Sequence, residues 1–249
     1  MKILVSNDDG YQAPGIICLA QTLQKFADVT VVAPDRNRTA SGSSLTVEHS
    51  LHPKQADNGF IYVDGTPADC VHLAITGLLE QLPDIVVAGF NDGSNLGDDI
   101  IYSGTVGAAI EGRFLGLPAL AISMVSDRPQ YYQTAAWVTE KLLKRLQSDD
   151  LPLPTDTILN INVPDIPLEK LQGLQVTRLG NRHHPALAIK TEATANSSIY
   201  RIGSAGDEQD GGPGTDFYAV KQNFASITPL HVDLTHHSVL EQVREWLNE

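Results

Sequence analysis

Apolar and polar positions follow two rhythms along the first 125 residues. Short apolar runs at Lys2–Ser6, Val29–Ala33, Phe60–Val63, Ile85–Gly89 and Ala119–Ser123 have the length and continuity of strands buried on both faces of a parallel sheet. Between them lie stretches with helical spacing. Gly15–Phe26 carries Ile16, Leu19, Ala20 and Leu23 on one side, and Val106–Leu115 stops at Gly116. Another helix is predicted to open at Thr66-Pro67-Ala68-Asp69, with Thr66 as N-cap, Pro67 in the first helical position and Asp69 near the positive end of the helix dipole. Tyr131–Gln147 reads as a long helix with Trp137, Leu142, Leu143 and Leu146 on its apolar side.

Strand–helix alternation of this kind predicts a doubly wound α/β core over residues 1 to about 130. The remainder differs. Ile158–Val163 reads as one more strand, whereas residues 174–230 break into short β-like pieces separated by Gly, Pro and Asn. That segment is expected to be an excursion of hairpins and loops, an oligomerisation arm or a lid, before a closing helix at Ser238–Leu247. Gly203–Gly214 is rich in Gly and Asp but lacks the ligand spacing of a calcium loop, so an ordinary loop is expected there.

Charge narrows the choice of partner. Seventeen Lys and Arg stand against 30 Asp and Glu, a net charge of −13, and the basic residues form no stripe, which excludes a nucleic-acid polymer as the partner. A small phosphorylated molecule is compatible if local positive charge offsets the global field. No run reaches 18 apolar residues, so no membrane span is expected. The N-terminus turns acidic after Ile3-Leu4-Val5, too short a run for a signal peptide, and Cys18 and Cys70 read as reduced core residues; the expected location is the cytoplasm.

Candidate chemistry gathers where three predicted strands end, the place where open α/β sheets bind ligands. The loops are Asn7-Asp8-Asp9-Gly10, Asp35–Ser44 and Asn91–Asp99. Adjacent carboxylates repel and resist desolvation, and a cation compensates both. Two Asp, a hydroxyl and an Asn amide form an all-oxygen set suited to Mg²⁺, Mn²⁺ or Ca²⁺, and with no His or Cys in these loops zinc is not expected. Tyr102-Ser103-Gly104-Thr105, just before a predicted helix, is a candidate phosphate grip; simple N-capping by Ser103 or Thr105 is the alternative use of the same residues. Ser43 and Ser44 are weaker candidates for the same anion. GxGxxG, Walker A and GxSxG patterns are all missing, and the pairs His183-His184 and His236-His237 are poor chelates.

Several motifs taken together resemble the SurE family of survival-protein nucleotidases. They are Ile3–Gly10 with Ala13-Pro14-Gly15, Ala33-Pro34-Asp35-Arg36, Gly65–Cys70, Asn95-Leu96-Gly97, Tyr102–Val106, Gly214-Thr215-Asp216 and Ile227–Leu230, and they run from residue 1 to about 247. The resemblance implies a single SurE-like domain over 1–249: a Rossmann-like core with the metal site over 1–130, then over 131–249 a completing helix and strand, an arm building a homodimer or homotetramer, and the C-terminal helix. It implies a phosphatase of nucleoside 5′-monophosphates that needs one divalent cation per subunit, Mg²⁺ or Mn²⁺, with some members also cleaving 3′-nucleotides and short polyphosphate.

Carried over by position, the metal ligands are Asp8, Asp9, residue 39 and Asn91; Asp8, Asp9 and Asn91 are the expected catalytic residues, and Ser43, Asn95, Ser103, Gly104 and Thr105 are expected to face substrate phosphate. Two departures stand out. Position 39 is Thr where Ser is usual, which makes Ser41 an alternative hydroxyl ligand, and Phe90 replaces a smaller aliphatic residue beside Asn91. A non-catalytic nucleotide-binding module that kept the metal loops, or a metal hydrolase of another bond, remains an alternative to the phosphatase.

Overall fold

The computed structural model describes residues 1–148, 154, 156–182, 187–193, 197–202 and 206–248. The pair His183-His184 and part of Gly203–Gly214 lie outside the described residues. A nine-stranded sheet forms the centre. Its strands are β1 (Lys2–Ser6), β2 (Asp28–Pro34), β3 (Lys54–Gln55), β4 (Ile61–Val63), β5 (Ile85–Asp92), β6 (Ala119–Val125), β7 (Ile158–Pro164), β8 (Gly173–Val176) and, after two short pairs, β13 (Phe224–Leu230). The short pairs are β9 (Asn181–Arg182) with β12 (Glu208–Asp210) and the hairpin β10 (Ile189–Ala193) with β11 (Ser198–Arg201).

Strand order is β3-β4-β2-β1-β5-β6-β7-β13-β8, parallel except where β3 meets β4 and β13 meets β7. The chain leaves β1 toward β2 and β4, then returns to lay β5 on the other side of β1. That reversal opens a crevice beyond the carboxyl ends of β1 and β5, the topological switch point where such sheets bind ligands.

Alternation along the strands decides which layer each residue joins. Ile3 and Val5 pack with helices α1 (Pro14–Leu23) and α4 (Tyr132–Gln147), while Leu4 packs on the opposite face with α2 (Pro67–Leu73) and α3 (Gly104–Phe114). Both faces are covered, as the continuous apolar runs of the strands require. Helix α2 begins as its sequence predicts. Thr66 accepts the Asp69 N–H, Asp69 accepts the Thr66 N–H, and Pro67 occupies the first turn. Asp69 also accepts the N–H and hydroxyl of Thr46, which ties the loop after β2 to this helix.

Four features depart from the sequence-based expectation. β5 does not stop at Gly89 but runs through Asp92, with a register shift between Ala88 and Asn91 that sets Asn91 opposite Ser123. Within 174–230, β8 and β13 return to the main sheet, so only the middle of that segment is an excursion, and a short helix α5 (Asp216–Lys221) precedes β13. Trp137 is not on the buried side of α4; its ring is partly exposed under the Lys141 ammonium, 4.6 Å from the ring centroid. The last helix, α6 (Leu240–Leu247), starts two residues after the expected Ser238, behind a 3-10 turn at His237–Val239, and buries none of its residues in the chain.

Thr66→Ala is expected to cost about 1 kcal/mol, the usual loss of a cap. Asp69→Ala, which frees three donors from a buried carboxylate, is expected to cost more. Urea unfolding reads both, and equal losses would contradict the tie between α2 and the loop after β2.

Candidate active site

The crevice is built from four segments. β1 delivers Asn7-Asp8-Asp9, β5 delivers Asn91 and Asp92, the loop after β2 delivers Thr39–Ser44, and the N-terminus of α3 closes the far side. Asp8 is buried and Asp9 partly so. Each has one oxygen in a firm hydrogen bond. Thr105 donates its hydroxyl to Asp8 Oδ1 at 2.6 Å, and the Asp92 N–H donates to Asp9 Oδ2 at 3.0 Å. The Asn91 amide nitrogen donates to the Gly93 carbonyl at 2.7 Å, which orients its Oδ1 as the free end. Asn7 is buried and donates to the Gly10 carbonyl, holding the turn that carries both aspartates.

The hydroxyl candidates are placed differently. Thr39 is exposed, with its Oγ1 donating to Asn37 Oδ1 at 2.6 Å. Ser41 Oγ is buried and has no hydrogen-bond partner. It borders the hollow over Gly104: a Cβ added there would lie 2.7 Å from Ser41 Oγ and 2.9 Å from Asp8 Oδ2. Gly104 is thus required by close approach, since any side chain would fill the space that these oxygens face.

Among the residues expected to face phosphate, several hydroxyls and amides are already committed. Ser103 caps α3 by accepting the Val106 N–H, and Thr105 is bound to Asp8. Asn95 is buried; its side-chain amide donates to Ser123 Oγ and its backbone is held by Asn160 and Asn162. Ser43 is exposed on the loop beside α3. Asp98 and Asp99, at the end of the oxygen-rich loop, face Arg182 instead.

Four contributors have roles that sequence reasoning did not assign. Tyr132 of α4 donates its hydroxyl to Asp92 Oδ1 in a short bond, and nothing in the helix pattern marks it for that task. Asn160 and Asn162 do leave a signal, because two amides inside the otherwise apolar run of β7 need buried partners. Asp216 is buried against the Gly97 and Gly180 N–H groups.

Electrostatics set the character of the site. Burial pushes the Asp8 carboxyl up despite the Thr105 hydroxyl and the N–H groups at the start of α3. Burial, with the nearby Asp8 and Asp92 charges, pushes Asp9 up to about 7 against the favourable Asp92 N–H bond. Asp92 is raised by burial as well. Among the described residues no three His, Cys, Asp or Glu side chains are grouped to hold a metal. The set that fits a cation here contains only two carboxylates, completed by neutral oxygens. Asp8 Oδ2, Asp9 Oδ1, Asn91 Oδ1 and an orphaned buried hydroxyl suit a hard divalent ion.

Comparison with known proteins gives the family. The family model described as "Survival protein SurE" matches residues 3–186, and the chain belongs to that family. It is 56% identical over 247 residues to the 5′-nucleotidase SurE of Methylococcus capsulatus, covering 99% of this chain and 98% of that one. The corresponding figure for the 5′-nucleotidase SurE of Coxiella burnetii is 55%, covering 99% and 95%. The crystal structure of the SurE protein from Aquifex aeolicus superposes with a TM-score of 0.88 at 40% identity, covering both chains completely.

The carboxylate strain predicts a pH dependence. Asp9 titrates near 7 when folded against an ordinary value of 3.8, so the folded chain holds its proton more tightly. Its contribution to stability is therefore lost as pH rises from about 4 to about 7. In EDTA, Asp9→Asn is expected to melt above the wild type at pH 8, and the difference should shrink toward pH 4. Thermal melts across that range check this, and a pH-independent difference would contradict it.

Proposed function

We propose that the protein is a divalent-metal-dependent phosphomonoesterase that hydrolyses nucleoside 5′-monophosphates to nucleoside and phosphate. One observation carries the reading: the buried Asp8 carboxylate and the orphaned Ser41 hydroxyl border one hollow over Gly104 at the N-terminus of α3, with the partly buried Asp9 next to Asp8 in the chain. The names of the relatives at 55–56% identity over almost the full chain support the same substrate class. The absence of basic clusters fits a small substrate, with positive charge supplied locally at the crevice.

Asp8, Asp9, Asn91 and a hydroxyl of the 39–41 loop would hold one Mg²⁺ or Mn²⁺. When bound, such an ion supplies positive charge to the phosphate oxygens and acidifies a water. The remaining work belongs to the chain. The Thr105 hydroxyl and the Asp92 N–H fix the two carboxylates before substrate arrives, so little reorganisation is needed. At the N-terminus of α3 the backbone dipole and the bare Cα of Gly104 favour an anion, and Ser43 adds a hydroxyl from the adjoining loop. Asn95, Ser103 and Thr105, with their polar atoms committed, shape that wall more than they donate to it.

We further propose that the whole chain is one domain, because β8 and β13 complete the sheet that β1 begins, and that it forms a homodimer or homotetramer. Exposed apolar residues on α6 and the β10–β11 hairpin support a second copy as the cover: Leu240, Val243 and Trp246 on the first, Ile199 and Tyr200 on the second.

Phosphate release from nucleoside 5′- and 3′-monophosphates and short polyphosphate, in EDTA and then with Mg²⁺ or Mn²⁺, tests the reading. Release abolished by EDTA and restored by metal is expected; silence from a folded protein that binds the ion would leave a binding module. Asp8→Asn should lower turnover by a factor on the order of 10³ with the fold intact. Gly104→Ala should do similar damage by filling the hollow between Asp8 and Ser41. Near-wild-type turnover in Asp8→Asn would contradict the metal-centred mechanism.

A further inference from the structure

Asp216 lies outside the metal set, yet three backbone N–H groups converge on its fully buried carboxylate. Gly97 donates to Oδ2 at 2.7 Å, while Gly180 and Phe217 donate to Oδ1, each at 2.9 Å. A buried carboxylate is costly unless several donors meet it, so three at once mark a group that fixes its surroundings.

What it fixes is the approach to the site. Gly97 opens the 3-10 turn Gly97–Ile101, which leads through Tyr102 to the α3 cap Ser103 and to Gly104. The turn is stiff: Tyr102 N–H bonds Asp99 O, Ser103 N–H bonds Ile100 O, and the Tyr102 carbonyl accepts the N–H of Gly42 from the loop after β2. At its start Gly97 has φ of +55°, and the Phe217 ring lies 2.6 Å from where a Cβ would sit. The turn therefore rests directly on Asp216 and Phe217, and a shift at Gly97 carries to both sides of the phosphate-facing wall.

We propose that Asp216 is a positioning residue for phosphate: it seats the turn that presents the N-terminus of α3, and so sets phosphate affinity while leaving metal affinity alone. The proposal rests on the phosphatase reading of the preceding section. Of the groups that hold Asp8, Asp9 and Asn91, Asp92 and Gly93 lie outside the turn and bond nothing of Asp216; Thr105 follows the turn on α3 and reaches Asp8 through its side chain, so the metal set feels Asp216 only at second hand. A role in stability alone would change neither affinity in the folded protein, or would weaken both together.

Asp216→Asn tests the difference. The amide offers one acceptor oxygen to three donors, and keeping that oxygen toward Gly180 and Phe217 turns the NH₂ onto the Gly97 N–H. Titration calorimetry would measure Mn²⁺ binding to the metal-stripped full chain, then inorganic phosphate binding to the Mn²⁺-loaded chain, for wild type and variant. The expected result is Mn²⁺ affinity within about twofold of wild type and phosphate affinity lower by about tenfold or more.

Equal phosphate affinity in the two proteins, or a parallel loss of both ligands, would overturn the proposal. A wild type that binds Mn²⁺ but no phosphate would instead overturn the phosphatase reading beneath it. Should Asp216→Asn not fold, Thr215→Val keeps the carboxylate but removes the hydroxyl that caps α5 through Tyr218 N–H and bonds Gly212 O. It is expected to lower phosphate affinity by a smaller factor with Mn²⁺ binding unchanged, and no loss of phosphate affinity would equally overturn the assignment.

Discussion

Two neighbouring carboxylates just beyond β1, one buried and one partly so, with no basic side chain paired to either among the described residues, are the constraint around which this structure is arranged. Neither Asp8 nor Asp9 forms an ion pair among the described residues, and burial raises both. In any other place such a pair would be a defect. Here Asp9 is met by the Asp92 N–H and Asp8 by the Thr105 hydroxyl together with N–H groups at the start of α3, so the fold holds the geometry without supplying a counter-charge. The deficit that remains is what the proposed dication would offset.

The doubly wound topology makes this possible. Because the chain reverses between β1 and β5, the two strand ends stand side by side with no crossover above them. The register shift in β5 then brings Asn91 to the rim, and Gly104 leaves the hollow unfilled. Support also comes from far along the chain: amides of β7 and the carboxylate of Asp216 hold the 95–97 turn across more than sixty residues of sequence. The C-terminal third is thus part of the foundation of the site.

Much of the core was legible because buried parallel strands and capped helices are written locally. Thr66-Pro67-Ala68-Asp69 contains its whole capping box, and Lys2–Ser6 could hardly be anything but a strand. Asp8-Asp9 was conspicuous because adjacent acids at a strand end demand an explanation. The distribution of tasks among the polar residues was not legible, since it depends on distances between segments. Ser103 and Thr105 look equivalent in sequence, yet one caps a helix and the other holds Asp8. Thr39 and Ser41 differ in burial only once the loop after β2 is folded against α3. Trp137 was misplaced because an amphipathic ring shielded by Lys141 satisfies the helical period from outside.

The most direct measurement is the number of protons released when Mn²⁺ binds the metal-stripped protein, obtained by calorimetry in buffers of different ionisation enthalpy at pH 6 and pH 8. An ion that compensates Asp8 and Asp9 must displace the proton that Asp9 retains up to about 7. One ion per chain is expected, with proton release at pH 6 that is smaller at pH 8 by the proton Asp9 has already lost. Binding without pH-dependent release, or no binding at all, would contradict the carboxylate pair as the centre of the site.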